Sequence, residues 1–189
     1  MRKLTYYVAV TIDGYIADPE GGYGFFPIEG PHMDYLNQRL PETIPGHVRK
    51  LVGIDAPNRR FDTVVMGRGT YEPALEIDIT DPYPHLRTVV FSKTIRERLD
   101  PKVEITDGDP LARVRELKRE EGMDIWLCGG GKLASELRAE IDELLIKRYP
   151  IVAGGGKPIF AGEFGPQCFM LTDHHTFDNG VAFMTYHRQ

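Results

Sequence analysis

The sequence predicts an α/β fold built on a mixed, mostly parallel sheet of about eight strands, with a C-terminal antiparallel hairpin. Three observations carry this prediction. β-rich apolar runs recur along the whole chain, helix-like segments lie between several of them, and an Asp-Asn-Gly sequence separates the last two runs. Strands that alternate with helices are typical of parallel sheets covered on both faces, whereas Asn-Gly between two apolar runs is typical of a hairpin.

The predicted strands differ in how polar they are. The second, third and fifth runs are short and almost continuously apolar, which indicates strands buried on both faces. The last two runs are longer and mix in polar residues, and Asn179-Gly180 lies between them. In chain order, the eight runs cover 4–10, 61–66, 87–92, 103–106, 124–128, 143–152, 168–177 and 181–187.

Helical periodicity is clearest over 109–122. Asp109 can cap this helix, Pro110 fits its first turn, and Gly122 can end it. Periodicity alone predicts the other helices over 32–40, over 46–53, and from Gly131 as far as Lys147.

Composition and charge limit the classes of protein to which this chain can belong. The net charge of −5 disfavours a nucleic-acid binder, which usually carries a basic excess. No apolar run approaches the roughly 20 residues of a membrane span, and the N-terminus lacks the long apolar region of a signal peptide. We therefore expect a single cytoplasmic domain over 1–189 that binds neither membrane nor nucleic acid.

The cysteines and histidines do not have the spacing of a metal site. Cys128 and Cys168 lie forty residues apart in apolar runs, so we expect small buried side chains rather than a disulfide. None of the six histidines forms an HExxH motif, and adjacent His174 and His175 would point to opposite faces of a strand. The sequence therefore predicts no metal.

Three glycines follow the apolar run that ends at Cys128. Glycines at the carboxyl end of a parallel strand let backbone N–H groups approach an anion, and a following helix adds free N–H groups. The run Gly129, Gly130, Gly131 and Lys132 therefore favours a pyrophosphate site over a simple tight turn, for which one or two glycines suffice. A Walker A loop is excluded because Leu133 follows Gly131-Lys132.

Two further strand ends carry similar chemistry. The strand at 61–66 leads into Gly67, Arg68, Gly69 and Thr70, which combine free N–H groups with a guanidinium. The strand at 87–92 leads into Ser92 and Lys93, which alone would be an ordinary solvated turn. Three such strand ends in one parallel sheet match a ligand with a pyrophosphate and an extra monophosphate, as NADPH has.

These motifs, taken together, resemble a known superfamily. The stretches at 10–17, 61–72, 88–94, 125–137 and 142–160 are similar, in this order, to dihydrofolate reductase-like proteins. Within that superfamily, the chain resembles the reductase domain of bifunctional riboflavin-biosynthesis deaminase–reductases and its stand-alone bacterial relatives. The resemblance implies a three-layer α/β/α fold. It also implies that the helix after Gly131 ends near Ile141, and that the chain then becomes a strand.

The resemblance implies a role in NADPH binding for most of these residues. Ala9 and Ile16 would flank the nicotinamide, and Ser92 and Lys93 would meet the 2′-phosphate of the adenosine. The two glycine motifs would hold the pyrophosphate and adjoining groups, through Gly67, Arg68, Gly69, Thr70, Gly129, Gly130, Gly131, Lys132 and Leu133. A second glycine run at 153–158 would have only a structural role, turning the chain after a central strand.

The proton donor for a reduction is less clear from the sequence. Asp34 lies near the position where dihydrofolate reductases keep a carboxylate, but the flanking residues match poorly, and a solvated helix residue is the simpler interpretation. Asp13 lies in the loop that covers the nicotinamide in this family, although turn formation with Gly14 explains it as well. Both are retained as candidate catalytic residues, with bound water as the alternative.

The expected function is an NADPH-dependent reductase of the riboflavin type, acting on a small heterocyclic or carbonyl compound. The nearest named activity is 5-amino-6-(5-phosphoribosylamino)uracil reductase. Two alternatives stay open: a dihydrofolate reductase, and a non-enzymatic sensor that binds NADPH or another nucleotide. Relatives often form homodimers, so we expect one here. The segment 18–60 is too long for a simple connection and is a candidate substrate lid.

Overall fold

The computed structural model describes residues 1–95 and 99–189. Eight of its strands form one mixed sheet in the order β5-β4-β3-β6-β1-β7-β10-β9. The first six strands of this order, from β5 across to β7, run parallel to one another. Strand β10 runs antiparallel to both β7 and β9. The strands are β1 Leu4–Val10, β2 Tyr15–Ala17, β3 Phe61–Gly67, β4 Arg87–Phe91, β5 Val103–Thr106, β6 Asp124–Gly129, β7 Ile141–Arg148, β8 Lys157–Pro158, β9 Phe169–Thr176 and β10 Ala182–Arg188.

Helices cover both faces of the sheet. They are α1 Pro31–Arg39, α2 Gly46–Val52, α3 Arg68–Leu75, α4 Pro110–Arg119 and α5 Gly131–Glu136, with a short 3-10 turn at Pro41–Thr43. One core cluster packs α4 and α5 against one face of the sheet, and a second packs α1 and α3 against the other. This is the expected three-layer arrangement. The central strands β3, β4 and β6 are almost wholly buried, as their continuous apolar runs predicted.

The terminal hairpin also confirms its prediction. Strands β9 and β10 pair along their length, and Gly180 adopts a φ of 80° between them. The Asn179 side chain accepts a hydrogen bond from the N–H of Val181 at 3.2 Å, which closes the turn. This Asn-Gly pair therefore supplies both the side-chain acceptor and the left-handed backbone that the turn requires.

The helix α4 begins as predicted but ends early. The Asp109 carboxylate accepts a hydrogen bond from the N–H of Leu111 at 3.0 Å, and Pro110 starts the helix. The helix ends at Arg119, so Gly122 does not terminate it. Gly122 instead has a φ of 148°, and a Cβ there would lie 2.5 Å from the Asp62 carboxylate. Its role is to let the chain pass close to that side chain.

The helix after the triple glycine is shorter than both sequence predictions. It ends at Glu136, before the limit near Ile141 and well before Lys147. Strand β7 begins at Ile141 and ends at Arg148, whereas 143–152 was expected. In β7 buried residues such as Ile141, Glu143 and Leu145 alternate with partly buried ones, so side-chain contacts across the sheet override the helical spacing of the apolar residues.

The short strands β2 and β8 were missed. They form a separate two-stranded antiparallel sheet in which Tyr15 pairs with Pro158 and Ala17 with Lys157. The segment around Tyr15 was expected as a loop. Cys168 also departs from its prediction, because it is exposed beside the edge strand β9, whereas Cys128 is partly buried in β6. Burial raises the pKa of the Cys128 thiol to about 12.

Segment 18–60 packs onto the rest of the molecule at several points. Phe26 is buried, and its ring lies 4.8 Å from the ring of Tyr149. Leu36 of α1 is buried in the second core cluster. The buried carboxylate of Glu42 accepts hydrogen bonds from the N–H groups of Arg60 and Phe61, at 2.7 and 2.9 Å, where β3 begins. The role of segment 18–60 as a substrate lid stays a prediction.

The two neighbouring glycines Gly155 and Gly156 test the structural role of the second glycine run. Gly156 has a φ of 141°, and a Cβ there would overlap the carbonyl oxygen of Ala17, whereas a Cβ at Gly155 would meet no atom within 4 Å. We expect Gly156→Ala to lower the free energy of unfolding by about 1–3 kcal/mol through this overlap. Gly155→Ala should change it little. Urea unfolding of both variants measures this, and equal stabilities would contradict the assigned role.

Candidate active site

The carboxyl ends of five parallel strands lie side by side along one edge of the sheet. The strands are adjacent in the order β4-β3-β6-β1-β7, so the row spans four strand intervals, about 19 Å. The Cα register fixes which residues meet there: Gly67 pairs with Phe91, Met66 with Gly129, and Ala9 with Lys147. The three glycine and basic motifs predicted from the sequence are therefore brought to one edge, with Ser92 next after Phe91.

The start of α3 offers unshielded backbone at this edge. Gly67 precedes the helix, and no side chain caps the first turn, so its N–H groups have no side-chain acceptor. A Cβ at Gly69 would meet no atom within 4 Å, which leaves open space over the first turn. Arg68 pairs with Glu72 at 3.2 Å, but both side chains are about half exposed, and exposed pairs are weak. The guanidinium can therefore exchange this carboxylate for a phosphate at little cost.

Each glycine of the triple run has its own geometry. Gly129 adopts a φ of 131°, which other residues rarely adopt. A Cβ at Gly131 would overlap the carbonyl oxygen of Pro158, so the close approach of that segment requires glycine. Gly130 meets neither constraint: its φ is −93°, and a Cβ would lie 3.7 Å from the Thr70 hydroxyl. The turn therefore explains two of the three glycines without a ligand, and only Gly130 is left to favour an anion site.

The residues after the glycine run divide between surface and core. Lys132 is exposed, whereas Leu133 is buried in the first core cluster. Leu133 therefore offers a ligand only its backbone. The helix α5 that they begin has six residues and no side-chain cap. The Thr70 hydroxyl lies across from this run, since Cβ atoms built on Gly129 and Gly130 fall 3.6 and 3.7 Å from it.

At the β4 end of the row, Ser92 and Lys93 differ in exposure. Ser92 is buried, and its hydroxyl oxygen accepts hydrogen bonds from the N–H groups of Thr94 and Ile95, at 3.2 and 2.9 Å. This holds the turn after β4 in a fixed shape. Lys93 is exposed at that turn. The ammonium of Lys93 is therefore available to an anion, while the Ser92 hydroxyl keeps only its own hydrogen to donate.

The comparisons with known proteins come from both sequence and structure. The family model for the RibD C-terminal domain matches residues 2–183. The chain belongs to this family. Bacillus subtilis (strain 168) YwjB is similar to it, 30% identical over 161 residues that cover 84% of this chain and 83% of YwjB.

Solved structures with the same fold include a putative riboflavin biosynthesis protein from Shewanella sp. PV-4, with a TM-score of 0.69, 26% identity and 99% of each chain covered. The deaminase/5-amino-6-(5-phosphoribosylamino)uracil reductase of Thermotoga maritima gives 0.66 at 16% identity, covering all of this chain and 57% of that one. Enterococcus faecalis dihydrofolate reductase, complexed with NADP(H), also gives 0.66, at 15% identity, covering 99% and 96%. The last two similarities show the fold, which is that of dihydrofolate reductase.

In this RibD C-terminal domain, the loop after β1 is held by Asp13. Its carboxylate accepts hydrogen bonds from the Thr11 hydroxyl at 2.6 Å and from the N–H groups of Ala153 and Gly154, at 3.1 and 2.7 Å. The bond from Thr11, followed by that from Ala153, lowers the pKa of Asp13 to about 2. Asp13 is therefore ionised at neutral pH, where it joins the two loops and has no proton to donate. Ile16, in β2, packs on the first core cluster.

Asp34 and His32 lie close together on α1 but in different environments. Asp34 is exposed, whereas His32 is buried. The amide nitrogen of Asn179 lies 2.9 Å from Nδ1 of His32, and Nε2 lies 3.2 Å from the carbonyl oxygen of Pro27 and 3.3 Å from the Tyr149 hydroxyl. Burial lowers the pKa of His32. The Pro27 carbonyl oxygen can only accept, so Nε2 is the donor of that hydrogen bond. This network joins α1, the loop before it and the terminal hairpin.

Lys147 was not singled out by sequence reasoning. It stands beside Ala9 in the register, on the sheet face that packs against α1, and it is partly buried. Its Nζ lies 3.8 Å from the Met33 sulfur and 5.4 Å from the centre of the Tyr149 ring. The only signal in the sequence was a lysine in the predicted strand 143–152, which also carries Glu143 and Arg148. It was not decisive because charged residues are common near strand ends.

A shallow depression lined by Lys132, Arg138 and Glu163 lies beyond α5 and includes no residue of β3 or β4. Within 1–95 and 99–189, no helix has the length and apolar character needed to cross a membrane. The same ranges hold no close group of three His, Cys, Asp or Glu side chains. The absence of a metal stays a prediction.

The role of Asp13 predicts a specific pH dependence. Its pKa falls from an ordinary 3.8 in the unfolded chain to about 2 in the folded protein. The ionised carboxylate therefore contributes its full stabilisation at pH values above 3.8, and this stabilisation is lost as the pH falls through about 2. We expect the stability difference between wild type and Asp13→Asn to be constant above about pH 5 and to shrink between about pH 4 and pH 2. Urea unfolding across this range measures it. A difference that does not vary with pH would contradict the assigned hydrogen bonds.

Proposed function

We propose that this RibD C-terminal domain is an NADPH-dependent reductase that acts on a small heterocyclic or carbonyl compound. Its nearest named activity is 5-amino-6-(5-phosphoribosylamino)uracil reductase. The observation that carries the proposal is the row of strand ends, in which the three anion-binding motifs lie at one edge of the sheet. When bound, NADPH supplies the hydride, and the protein supplies orientation and electrostatics.

The order of groups along the row supports NADPH as the ligand. Lys93 and Ser92 at the β4 end would take the adenosine 2′-phosphate, and Ala9 and Ile16 at the β1 end would flank the nicotinamide. Between them, two glycine-rich segments would hold the pyrophosphate and its neighbours through Gly67, Arg68, Gly69, Thr70, Gly129, Gly130, Gly131, Lys132 and Leu133. The open space at Gly69 and the uncapped start of α3 fit a phosphate placed there.

The fold comparisons support the same ligand. Enterococcus faecalis dihydrofolate reductase binds NADP(H) on this fold, and the Thermotoga maritima protein carries a uracil-derivative reductase. An activity assay identifies the substrate of this chain. Oxidation of NADPH, followed by absorbance, in the presence of pterins, pyrimidines and carbonyl compounds tests the reductase. Tight NADPH binding without turnover of any compound would favour a sensor instead.

A homodimer belongs to the same proposal. Strand β9 forms one edge of the sheet, and nearly all of its residues are exposed on both faces. Met170 and Leu171 on this strand are about half exposed. An open edge strand with exposed apolar side chains is a surface that proteins commonly cover by association.

Lys93→Ala tests recognition of the 2′-phosphate. Loss of one charge-assisted hydrogen bond should cost about 1.5–3 kcal/mol, which is about ten- to a hundredfold in NADPH affinity. NADH affinity should not change, because NADH lacks the 2′-phosphate. Isothermal titration of both nucleotides measures this. Lys102→Ala is the control, because Lys102 is exposed and precedes β5, the edge strand next to β4. An unchanged preference of Lys93→Ala for NADPH over NADH would remove Lys93 from the site.

Gly69→Ala separates binding from folding. Alanine in the first turn of α3 should leave stability unchanged or raise it by up to about 1 kcal/mol, because a Cβ meets nothing there and alanine favours helix. The same methyl group should obstruct a phosphate and weaken NADPH binding by about tenfold or more, that is by about 1.4 kcal/mol. Thermal unfolding and nucleotide titration measure the two effects. Gly155→Ala is the control, and full NADPH affinity in Gly69→Ala would place the phosphate elsewhere.

A further inference from the structure

Lys147 carries a charge that none of the residues in 1–95 and 99–189 neutralises through an ion pair. None of the described carboxylates forms an ion pair with it, and its contacts are the Met33 sulfur and the face of the Tyr149 ring. A partly buried ammonium without a counter-ion lowers stability, because burial removes water from the charge. Residues with such a cost often serve a ligand or a reaction.

The surroundings of Lys147 contain few titratable groups. On α1 these are His32 and the exposed Asp34. The pKa of His32 is lowered first by burial and further by the Lys147 charge. On β7 the next residue is the exposed Arg148, which is also a cation. Tyr149 follows the strand, and its hydroxyl donates to the Pro27 carbonyl. Further out on β9, His175 stacks on the Tyr35 ring. None of these groups is a carboxylate that holds the ammonium in place.

Lys147 lies next to the nicotinamide end of the proposed cofactor site. Residues alternate between the faces of a strand, so Lys147 shares a face with Leu145, and its neighbour Ala9 shares that face with Tyr7. This is the face covered by α1. Lys147 therefore lies one strand beyond Ala9, on the side of the row away from Lys93, where a substrate next to the nicotinamide would be.

Both aspartates considered from the sequence are poorly suited to donate a proton. Asp13 is ionised and holds two loops together, and Asp34 is exposed at the surface of α1. Burial lowers the pKa of Lys147 to about 8. A general acid works best when its pKa lies near the working pH, since it is then both protonated and able to release the proton.

We propose that the Lys147 ammonium donates the proton that the substrate needs when its C=N or C=O bond is reduced, an inference that rests on the proposed reductase function. Bound NADPH would supply the hydride to the substrate carbon, and the π electrons of the double bond would move to the nitrogen or oxygen. That atom takes a proton from Nζ of Lys147, leaving a neutral amine. A proton from solvent then restores the Lys147 ammonium.

The variants Lys147→Met and Lys147→Arg test this role, with Lys102→Met as the control. Lys147→Met should lower kcat by about a hundredfold or more, while NADPH affinity changes less than about twofold. Its stability should stay the same or rise, because the variant removes an unpaired charge. In the wild type, kcat should fall above about pH 8, and this fall should be absent from the residual activity of Lys147→Met and shifted upward in Lys147→Arg.

The possible results separate this inference from the proposed function. Wild-type protein that does not bind NADPH, or binds it and reduces no pterin, pyrimidine or carbonyl compound, would overturn the reductase proposal and the proton donor with it. Turnover in Lys147→Met that equals wild type, or keeps the same fall above about pH 8, would overturn the proton donor alone. The pH dependence of the rate at which trinitrobenzenesulfonate labels Lys147 gives a second readout, and this rate should reach half its maximum near pH 8.

Discussion

The parallel register of five central strands is the constraint on which the rest of the structure depends. Because β4, β3, β6, β1 and β7 all run in one direction, their carboxyl ends lie at the same edge, and each motif that follows a strand is delivered there. An antiparallel neighbour at any of these positions would send its motif to the opposite edge. The site is therefore a consequence of strand direction first and of individual side chains second.

Structural and functional demands overlap at the glycines of this edge. The second glycine run and the first are packed together, since Gly131 approaches the Pro158 carbonyl and Gly156 approaches that of Ala17. The first contact joins β8 to the start of α5, and the second joins the residue before β8 to β2. In the two glycine motifs, Gly67, Gly69 and Gly130 have no such contact, so these three are the glycines that can be ascribed to a ligand.

Much of this fold is readable from the sequence, because continuous apolar runs identify buried strands and Asn179-Gly180 identifies the hairpin. The convergence of Gly67, Ser92 and Gly129 was also predictable, since it requires only that the strands be parallel. The two-stranded sheet was not, because two- and three-residue strands depend on pairing between distant segments. Neither was Lys147, whose environment is created by α1 packing against the sheet and leaves no pattern in the local sequence.

Amide hydrogen exchange with and without NADPH measures most directly whether the row of strand ends binds one phosphorylated hydride carrier. Saturating NADPH should slow exchange together in three segments separated in sequence, 67–70, 92–93 and 129–133, and leave the edge strand β9 unchanged. Unchanged exchange in all three segments, or protection confined to one of them, would contradict a single ligand spanning the row.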